Sequence, residues 1–166
     1  MMLNLGLSNA WSTSIGLYEI AIEEEFIQDA LQQQVNDKLT VKMMELFDQY
    51  LQETINKKLD DYDDYRTSSW VNKYTSTSME YHTHKGSQLS AVVYLVSNGD
   101  GAIVFHDPRS FASRGYDDNF NKLFEPIIFE PKEGSVVIFP SFLYHTARPA
   151  GYKISIPYDL FLLRDI

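Results

Sequence analysis

The chain has 166 residues, of which 44% are hydrophobic and 14% aromatic, and its formal net charge is −9. This length and composition are typical of one folded domain with a sizeable core rather than of a disordered segment. The absence of cysteine excludes disulfides, thiolate metal sites and a cysteine nucleophile, and the negative charge argues against nucleic-acid backbones or anionic membranes as partners.

The N-terminal third predicts a strand followed by two helices. Residues 1–20 mix apolar and small polar residues and could form an edge strand and its approach. Acidic residues at 23–25 suit the first turn of a helix, and two apolar stripes at helical spacing follow it. The first stripe is Phe26, Ile27, Ala30, Leu31 and Val35, and the second is Met43, Met44, Phe47, Leu51 and Ile55. Both stripes predict core-facing helix surface.

An acidic run at 60–65 separates the helical part from a β-rich part. The run lacks the glycine and the final glutamate of a calcium-binding loop, so it predicts a solvated connection. From Ser69 onward, short apolar segments alternate with turn residues, which predicts strands. The predicted strands are near 69–76, 79–84, 89–96, 101–106, 126–130, 135–139, 143–148 and 152–160.

These elements predict a mainly β fold with N-terminal helices (α+β), in which a β-sandwich or barrel is buttressed by two helices. We expect a single domain over 1–166, with a strand and helical support in 1–66 and the β core in 67–166. The N-terminus shows no basic region followed by an apolar stretch, and no apolar run approaches the ~20 residues of a membrane span. A soluble cytoplasmic protein, bound to neither membrane nor nucleic acid, is therefore expected.

Three of the four histidines suggest a metal site. His82 and His84 are two residues apart, which in an extended strand places both imidazoles on one face, and His145 ends a later strand-like stretch. Neutral imidazole is the commonest metal ligand in proteins. Two close ligands and a distant one would form a triangular face on an ion and leave its opposite side open. An H-x-H pair can also be one solvent-facing and one core histidine, so the spacing alone leaves both interpretations open.

A second polar pair follows His145. By the same period-two rule, Lys153 and Ser155 share one face of the last predicted strand and could offer an ammonium and a hydroxyl to one carboxylate. Lys153 could equally be an ordinary surface lysine.

Five segments, in order, resemble the 2OG-Fe(II) oxygenase family related to prolyl 4-hydroxylases. Residues 82–95 (HTHKGSQLSAVVYL) resemble its H-x-H-x-x-S-x-x-S-G-x-Y-Y signature, with Ala91 at the glycine position. Residues 101–109 (GAIVFHDPR) resemble G-x-I-x-F-x-D-P-R, and residues 131–145 resemble P-x-x-G-x-x-x-x-F-P-S-x-L-x-H. Residues 153–159 (KISIPYD) resemble R-I-S-I-S-F-N, and residues 70–72 (WVN) resemble a W-x-N strand. The resemblance covers about residues 68–160.

The resemblance implies a double-stranded β-helix, that is, a jelly-roll, cupin-like barrel, with Fe(II) at its mouth. His82 and His145 would take the two histidine positions of the metal triad. His84 stands where related prolyl hydroxylases have aspartate, so either His84 completes a three-histidine site or a carboxylate such as Asp107 enters from elsewhere. Asp107 also fits a turn with a structural ion pair, and His106 is expected outside the metal site.

For the co-substrate 2-oxoglutarate, the resemblance places Lys153 at the arginine that binds its distal carboxylate. Lysine keeps the charge but lacks the bidentate fork of arginine. Ser155 would add a hydroxyl, and Tyr94 would either donate a phenolic hydrogen bond into the barrel or serve as a core aromatic. Arg109 and Arg148 are further candidate contacts to substrate or carboxylate.

The first functional hypothesis is an oxygenase that uses Fe(II), 2-oxoglutarate and dioxygen to hydroxylate a small molecule or a peptide side chain. The alternatives are a three-histidine cupin-like metal enzyme that does not use 2-oxoglutarate and a binding barrel without turnover. A lysine pointing away from the metal would weaken the first hypothesis, and histidines that fail to converge would favour the last. Residues 110–125 are the expected lid over the site.

Overall fold

The computed structural model of the chain describes residues 12–74, 78–109 and 124–163. These residues contain two α-helices and ten strands. The helices are α1 (Glu24–Leu31) and α2 (Asp37–Ile55), and a short 3-10 helix follows at Leu59–Asp61. The strands are β1 (Gly16–Glu19), β2 (Asp64–Ser69), β3 (Asn72–Tyr74), β4 (Met79–His82), β5 (Leu89–Val96), β6 (Ile103–Phe105), β7 (Ile127–Phe129), β8 (Ser135–Pro140), β9 (His145–Ala147) and β10 (Lys153–Leu163).

The strands form two antiparallel sheets. The larger sheet has the order β1-β8-β5-β10-β2, with β3 also paired to β10, and the smaller sheet has the order β4-β9-β6-β7. From β3 to β10 the chain changes sheet at every step except between β6 and β7. This alternation is the winding of a double-stranded β-helix, so the predicted mainly β fold with two N-terminal helices is confirmed.

The larger sheet is covered on both faces, which explains why β5 has a nearly continuous apolar sequence. On one face, Ala91, Val93 and Leu95 pack in a core with the helices. On the other face, Tyr94 packs in a second core that includes Phe105 of the smaller sheet. The second face is therefore the inner wall of the barrel, where a site between the two sheets can form.

The helices form where the sequence supplies both an apolar stripe and end signals. Asn36 precedes α2, and its side chain accepts hydrogen bonds from the backbone N–H groups of Lys38 and Leu39. The helix stops at Asn56, which adopts the left-handed conformation that often ends helices. Leu39, Met43, Phe47, Tyr50 and Leu51 are the buried residues of α2. No helix within the described residues is both long and apolar enough to cross a lipid bilayer.

The structure differs from the sequence interpretation around the acidic run. Asp64 and Tyr65 begin β2, and the predicted strand at 69–76 is divided between β2 and β3, with 75–76 outside the described residues. The prediction of a solvated connection over residues 60–65 was therefore wrong for residues 64 and 65, which belong to β2. Strand β2 lies at the edge of the larger sheet and most of its residues are exposed, so charged side chains are tolerated there.

Tyr158 of β10 joins the larger sheet to α2. Its side chain is fully buried, and its hydroxyl lies 3.2 Å from the hydroxyl of Thr40. Burial raises the pKa of Tyr158 to about 12, although the hydrogen bond with Thr40 acts in the opposite direction.

This raised pKa predicts a loss of stability at alkaline pH. The phenol titrates near 10 in the unfolded chain, so its stabilising contribution is complete below pH 10 and is lost as pH rises through 12. We expect Tyr158→Phe to remove roughly 1 kcal/mol of the decrease in unfolding free energy between pH 9 and pH 11. Urea unfolding at both pH values measures this. The rest of the decrease should remain in the variant, because burial also raises the pKa values of Tyr18 and Tyr50. Identical pH profiles of the unfolding free energy for the variant and the wild type would contradict the assignment.

Candidate metal centre

Three histidines converge at one end of the barrel. His82 is the last residue of β4, His84 lies just beyond that strand, and His145 begins β9 directly opposite His82. Each offers one ligand atom, and the three atoms lie within 4.8 Å of one another. The ring centroids of His82 and His145 are 4.2 Å apart, and the ring of His84 lies 5.2 Å from that of His145 and nearly parallel to it.

All three rings are held through the same nitrogen. Nδ1 of His82 lies 2.6 Å from the carbonyl oxygen of Glu80, and Nδ1 of His145 lies 2.9 Å from that of Leu143. Nδ1 of His84 lies 2.9 Å from a carboxylate oxygen of Asp159. A carbonyl or carboxylate partner requires a proton on Nδ1 and leaves the Nε2 lone pair free. This is the arrangement in which histidine ligates a metal.

His145 is the most buried of the three, with 4% of its surface exposed. The rings of Phe139 and Phe105 pack against it, with centroid distances of 4.9 Å and 5.9 Å. Burial lowers the pKa of His145 to about 4, and the neighbouring His82 and His84 contribute to the decrease. The imidazole is therefore neutral near pH 7 and keeps a lone pair for an ion.

The three predicted co-substrate residues line the same narrow cavity as the histidines. Ser155 on β10 pairs directly with Tyr94 on β5, and Lys153 precedes Ser155 by two residues on the same face. Each of these three residues is only 3% exposed. The cavity is lined by Trp70, Asn72, Met79, His82, His84, Val92, Tyr94, Ile103, His145, Ala147, Lys153, Ser155 and Pro157.

The Lys153 ammonium is enclosed by backbone and aromatic groups. It donates a hydrogen bond of 3.1 Å to the carbonyl oxygen of Gly101 and lies 5.6 Å from the centre of the Tyr94 ring. Burial lowers the pKa of Lys153, and the nearby charge of Asp100 opposes that decrease. Because an ammonium on the wall of a cavity can form a charge-assisted hydrogen bond with a carboxylate, this position can contribute to binding an anion in the cavity.

Asp107 lies outside the histidine cluster. Its carboxylate accepts a 2.9 Å hydrogen bond from Nε of Arg109, and this guanidinium holds the pKa of Asp107 below its ordinary value. The structure thus shows a turn with an ion pair between Asp107 and Arg109, which is one of the two interpretations that the sequence left open for Asp107. Asp107, Arg109 and His106 line a separate, open cavity, and Arg148 is exposed. Of the expected lid at 110–125, residues 110–123 lie outside the described residues.

Three polar or aromatic neighbours of the cavity lie in segments that carry the family resemblance, but the sequence alone predicted no role for them at the site. Trp70 stacks on His84 with ring centroids 6.2 Å apart, and Asn72 pairs with Ser155 across β3 and β10. Asp159 holds the His84 ring. A signal for Asp159 was present, because the period-two rule that links Lys153 and Ser155 extends to Asp159 on the same strand.

A double-stranded β-helix with a three-histidine cluster at one end defines a barrel protein that could bind a metal ion. Residues 68–159, more than half of the chain, match a family described as "Putative 2OG-Fe(II) oxygenase". The chain belongs to this 2OG-Fe(II) oxygenase family, and the resemblance noted in the sequence is confirmed. Membership implies Fe(II) and 2-oxoglutarate as cofactors.

Solved structures with the same fold include prolyl hydroxylases. A Trichoplax adhaerens prolyl hydroxylase, in complex with a hypoxia inducible factor oxygen degradation domain peptide fragment, is 14% identical with a TM-score of 0.55, and the match covers 89% of this chain and 62% of that one. A Phytophthora capsici prolyl 4-hydroxylase is 18% identical with a TM-score of 0.50, covering 76% and 43%. A Burkholderia pseudomallei 2OG-Fe(II) oxygenase family protein is 18% identical with a TM-score of 0.46, covering 59% and 45%.

The chain thus spans about half of the length of these relatives, between 43% and 62%. No curated protein sequence matches it.

Proposed function

We propose that this protein is an Fe(II)- and 2-oxoglutarate-dependent oxygenase that hydroxylates a small molecule or a peptide side chain and releases succinate and carbon dioxide. The observation that carries the proposal is one cavity that contains both the three histidines and the buried ammonium of Lys153. A metal-ligand set and an anion-binding group in one cavity match the two cofactors that the family implies.

His82, His84 and His145 are the proposed iron ligands, each through Nε2. The donor set fits a divalent transition metal, because imidazole nitrogen suits iron and all three Nδ1 atoms already have acceptors. The burial of His145 keeps its imidazole neutral, as a ligand must be. When bound, iron and 2-oxoglutarate together supply the oxidising chemistry that activates dioxygen towards a C–H bond.

Lys153, Ser155 and Tyr94 are the proposed 2-oxoglutarate contacts. A carboxylate would accept a hydrogen bond from the Lys153 ammonium, and the Ser155 and Tyr94 hydroxyls are hydrogen-bond donors on the adjoining wall. Phe139 and Ile103 help keep water from this end of the barrel, since both side chains are buried between the two sheets. The chain's residues bind, orient and exclude water, so no separate acid, base or nucleophile is required.

The lowered pKa of Lys153 predicts a pH-dependent affinity for 2-oxoglutarate. The ammonium is present below its pKa, so affinity should be constant there and should fall up to about tenfold per pH unit as pH rises through that value. Arginine remains charged throughout, so the affinity of Lys153→Arg should stay constant. Titrations of 2-oxoglutarate into both metal-loaded proteins, carried past the ordinary lysine pKa of about 10.4, measure the affinity of each protein at each pH. Parallel curves would exclude Lys153 as the carboxylate contact.

The direct test of the proposed function is anaerobic addition of Fe(II) and 2-oxoglutarate to the purified protein, followed by visible absorption. The weak band of the iron–keto acid chelate is the expected result. Iron binding without this band would instead indicate the three-histidine metal enzyme that does not use 2-oxoglutarate. If neither iron nor 2-oxoglutarate bound, the protein would be a barrel without this enzymatic function.

A further inference from the structure

The three histidines of the metal centre differ in the group that holds their Nδ1 atoms. Neutral backbone carbonyl oxygens hold His82 and His145. His84 is held by the carboxylate of Asp159, whose two oxygens lie 2.9 Å and 3.1 Å from Nδ1. Within the part of the chain that the structure describes, His84 is thus the one ring of the three whose Nδ1 has a charged partner.

A chain of three hydrogen-bonded serine hydroxyls ends at the Asp159 carboxylate. Ser90 Oγ donates a 2.7 Å hydrogen bond to Oδ1 of Asp159, and Ser141 Oγ lies 2.8 Å from Ser90 Oγ. Ser87 Oγ in turn donates to Ser141 Oγ at 2.8 Å. The Ser90 proton is therefore directed at Asp159, and both carboxylate oxygens remain within hydrogen-bond distance of His84 Nδ1.

The network is mostly withdrawn from solvent. The side chains of His84 and Asp159 are only 12% and 14% exposed, and Ser90 and Ser141 are 1% exposed. In such surroundings a hydrogen bond to a carboxylate is stronger and better oriented than one at the surface. Asp159 is thus a fixed negative charge one imidazole ring away from the proposed metal position.

We propose that Asp159 is a positioning residue of the metal centre, which fixes His84 with Nδ1 protonated and Nε2 directed at the ion and supplies the negative charge that three neutral ligands lack. This inference rests on the proposed function, because it assumes a metal on the three histidines. Carboxylate partners of this kind raise the basicity of a ligating histidine and fix its ring.

The substitution Asp159→Asn separates charge from hydrogen bonding. An amide oxygen can accept the same bond from His84, but it carries no charge. We expect Asp159→Asn to fold and to lose about 10- to 100-fold in Co(II) affinity, measured by the visible absorption of the ion during titration. Because a neutral amide oxygen is a weaker acceptor than a carboxylate, nitrogen-15 correlation spectra of the histidine rings should also show a smaller fraction of Nδ1-protonated His84.

Asp107→Asn is the matched control, since it removes another partly buried carboxylate that is paired with Arg109 and lies outside the cluster. It should bind Co(II) like the wild type. Equal Co(II) affinity and an unchanged His84 tautomer in Asp159→Asn would overturn the inference. Absence of Co(II) and Fe(II) binding in the wild-type protein would instead overturn the proposed function.

If Asp159→Asn does not fold, the variant Ser90→Ala tests the same inference. Ser90→Ala removes the hydroxyl bonded to Oδ1 and leaves the carboxylate in place, so Asp159 is less firmly oriented. We expect a several-fold loss of Co(II) affinity, smaller than the roughly tenfold minimum for loss of the partner itself. An unchanged affinity together with an unchanged His84 tautomer would overturn the inference here too.

Discussion

Alanine in place of His145 is expected to abolish tight metal binding and the absorption band of the iron–keto acid chelate. His145 is the most buried of the three histidines and lies directly opposite His82 across β4 and β9. Its removal leaves two ligands, and the loss in metal affinity should exceed the roughly 100-fold that removal of a ligand's hydrogen-bond partner can cause. Anaerobic titration with Fe(II), followed by addition of 2-oxoglutarate, measures both effects.

His106→Ala is the matched control, because His106 is the fourth histidine and lies outside the cluster. Its Nε2 is 3.4 Å from the Thr146 hydroxyl, and its ring meets the edge of Tyr81. We expect this variant to bind Fe(II) normally. If His145→Ala bound Fe(II) with wild-type affinity, the three-histidine cluster would not be the metal site. If both variants lost binding, the cause would be a damaged fold rather than a missing ligand.

Apolar alternation and turn residues mark nearly all of the strands, and from them the sequence predicted a β-sandwich or barrel buttressed by two helices. The resemblance to the oxygenase family narrowed this prediction to a double-stranded β-helix. The sequence also selected the histidines that converge, although His84 lies beyond the end of β4 and not within a strand. The i, i+2 spacing still brings His82 and His84 together, because the chain remains beside the connection between β8 and β9 after β4 ends. His84 N–H, for example, donates a 3.1 Å hydrogen bond to the carbonyl oxygen of Ser141.

The partners of the histidines could not be read from spacing in the same way. Asp159 is 75 positions from His84, and their contact depends on how β10 is aligned with β5 and on where the turn after β4 places the ring. That alignment includes a register shift between Ile154 and Ser155. Local patterns specify which face a side chain occupies, but the pairing of distant strands decides which atoms meet.

The position of the Lys153 ammonium depends on a glycine that lies 52 positions away in the sequence. Gly101 has a φ of +74°, and a Cβ there would lie 2.6 Å from the Ala150 side chain and 3.0 Å from the Lys153 nitrogen. A side chain at this position therefore competes for the space that the buried ammonium occupies. The same residue also accepts the hydrogen bond from Lys153 through its carbonyl oxygen.

Gly101→Ala is accordingly expected to weaken 2-oxoglutarate binding about 10- to 100-fold, the equivalent of one hydrogen bond to a charged group. The lysine itself remains, so the loss would result from its displacement and not from a missing charge. Metal affinity should stay close to that of the wild type, because none of the three histidines is among the nearest contacts of the added methyl group. Titrations of 2-oxoglutarate and of Co(II) into the variant separate the two effects.

Gly99→Ala isolates the backbone contribution. Gly99 has a similar φ of +91°, but a Cβ there would meet no described atom within 4 Å. Gly99→Ala should lose about 1–2 kcal/mol of unfolding free energy, since alanine is strained at positive φ. Gly101→Ala should lose more than this, because its methyl group also meets the Ala150 side chain, and only Gly101→Ala should lose 2-oxoglutarate affinity. Equal losses of affinity in the two variants would mean that the loop conformation, rather than the space around Lys153, controls co-substrate binding. Unchanged affinity in both would place 2-oxoglutarate away from Lys153.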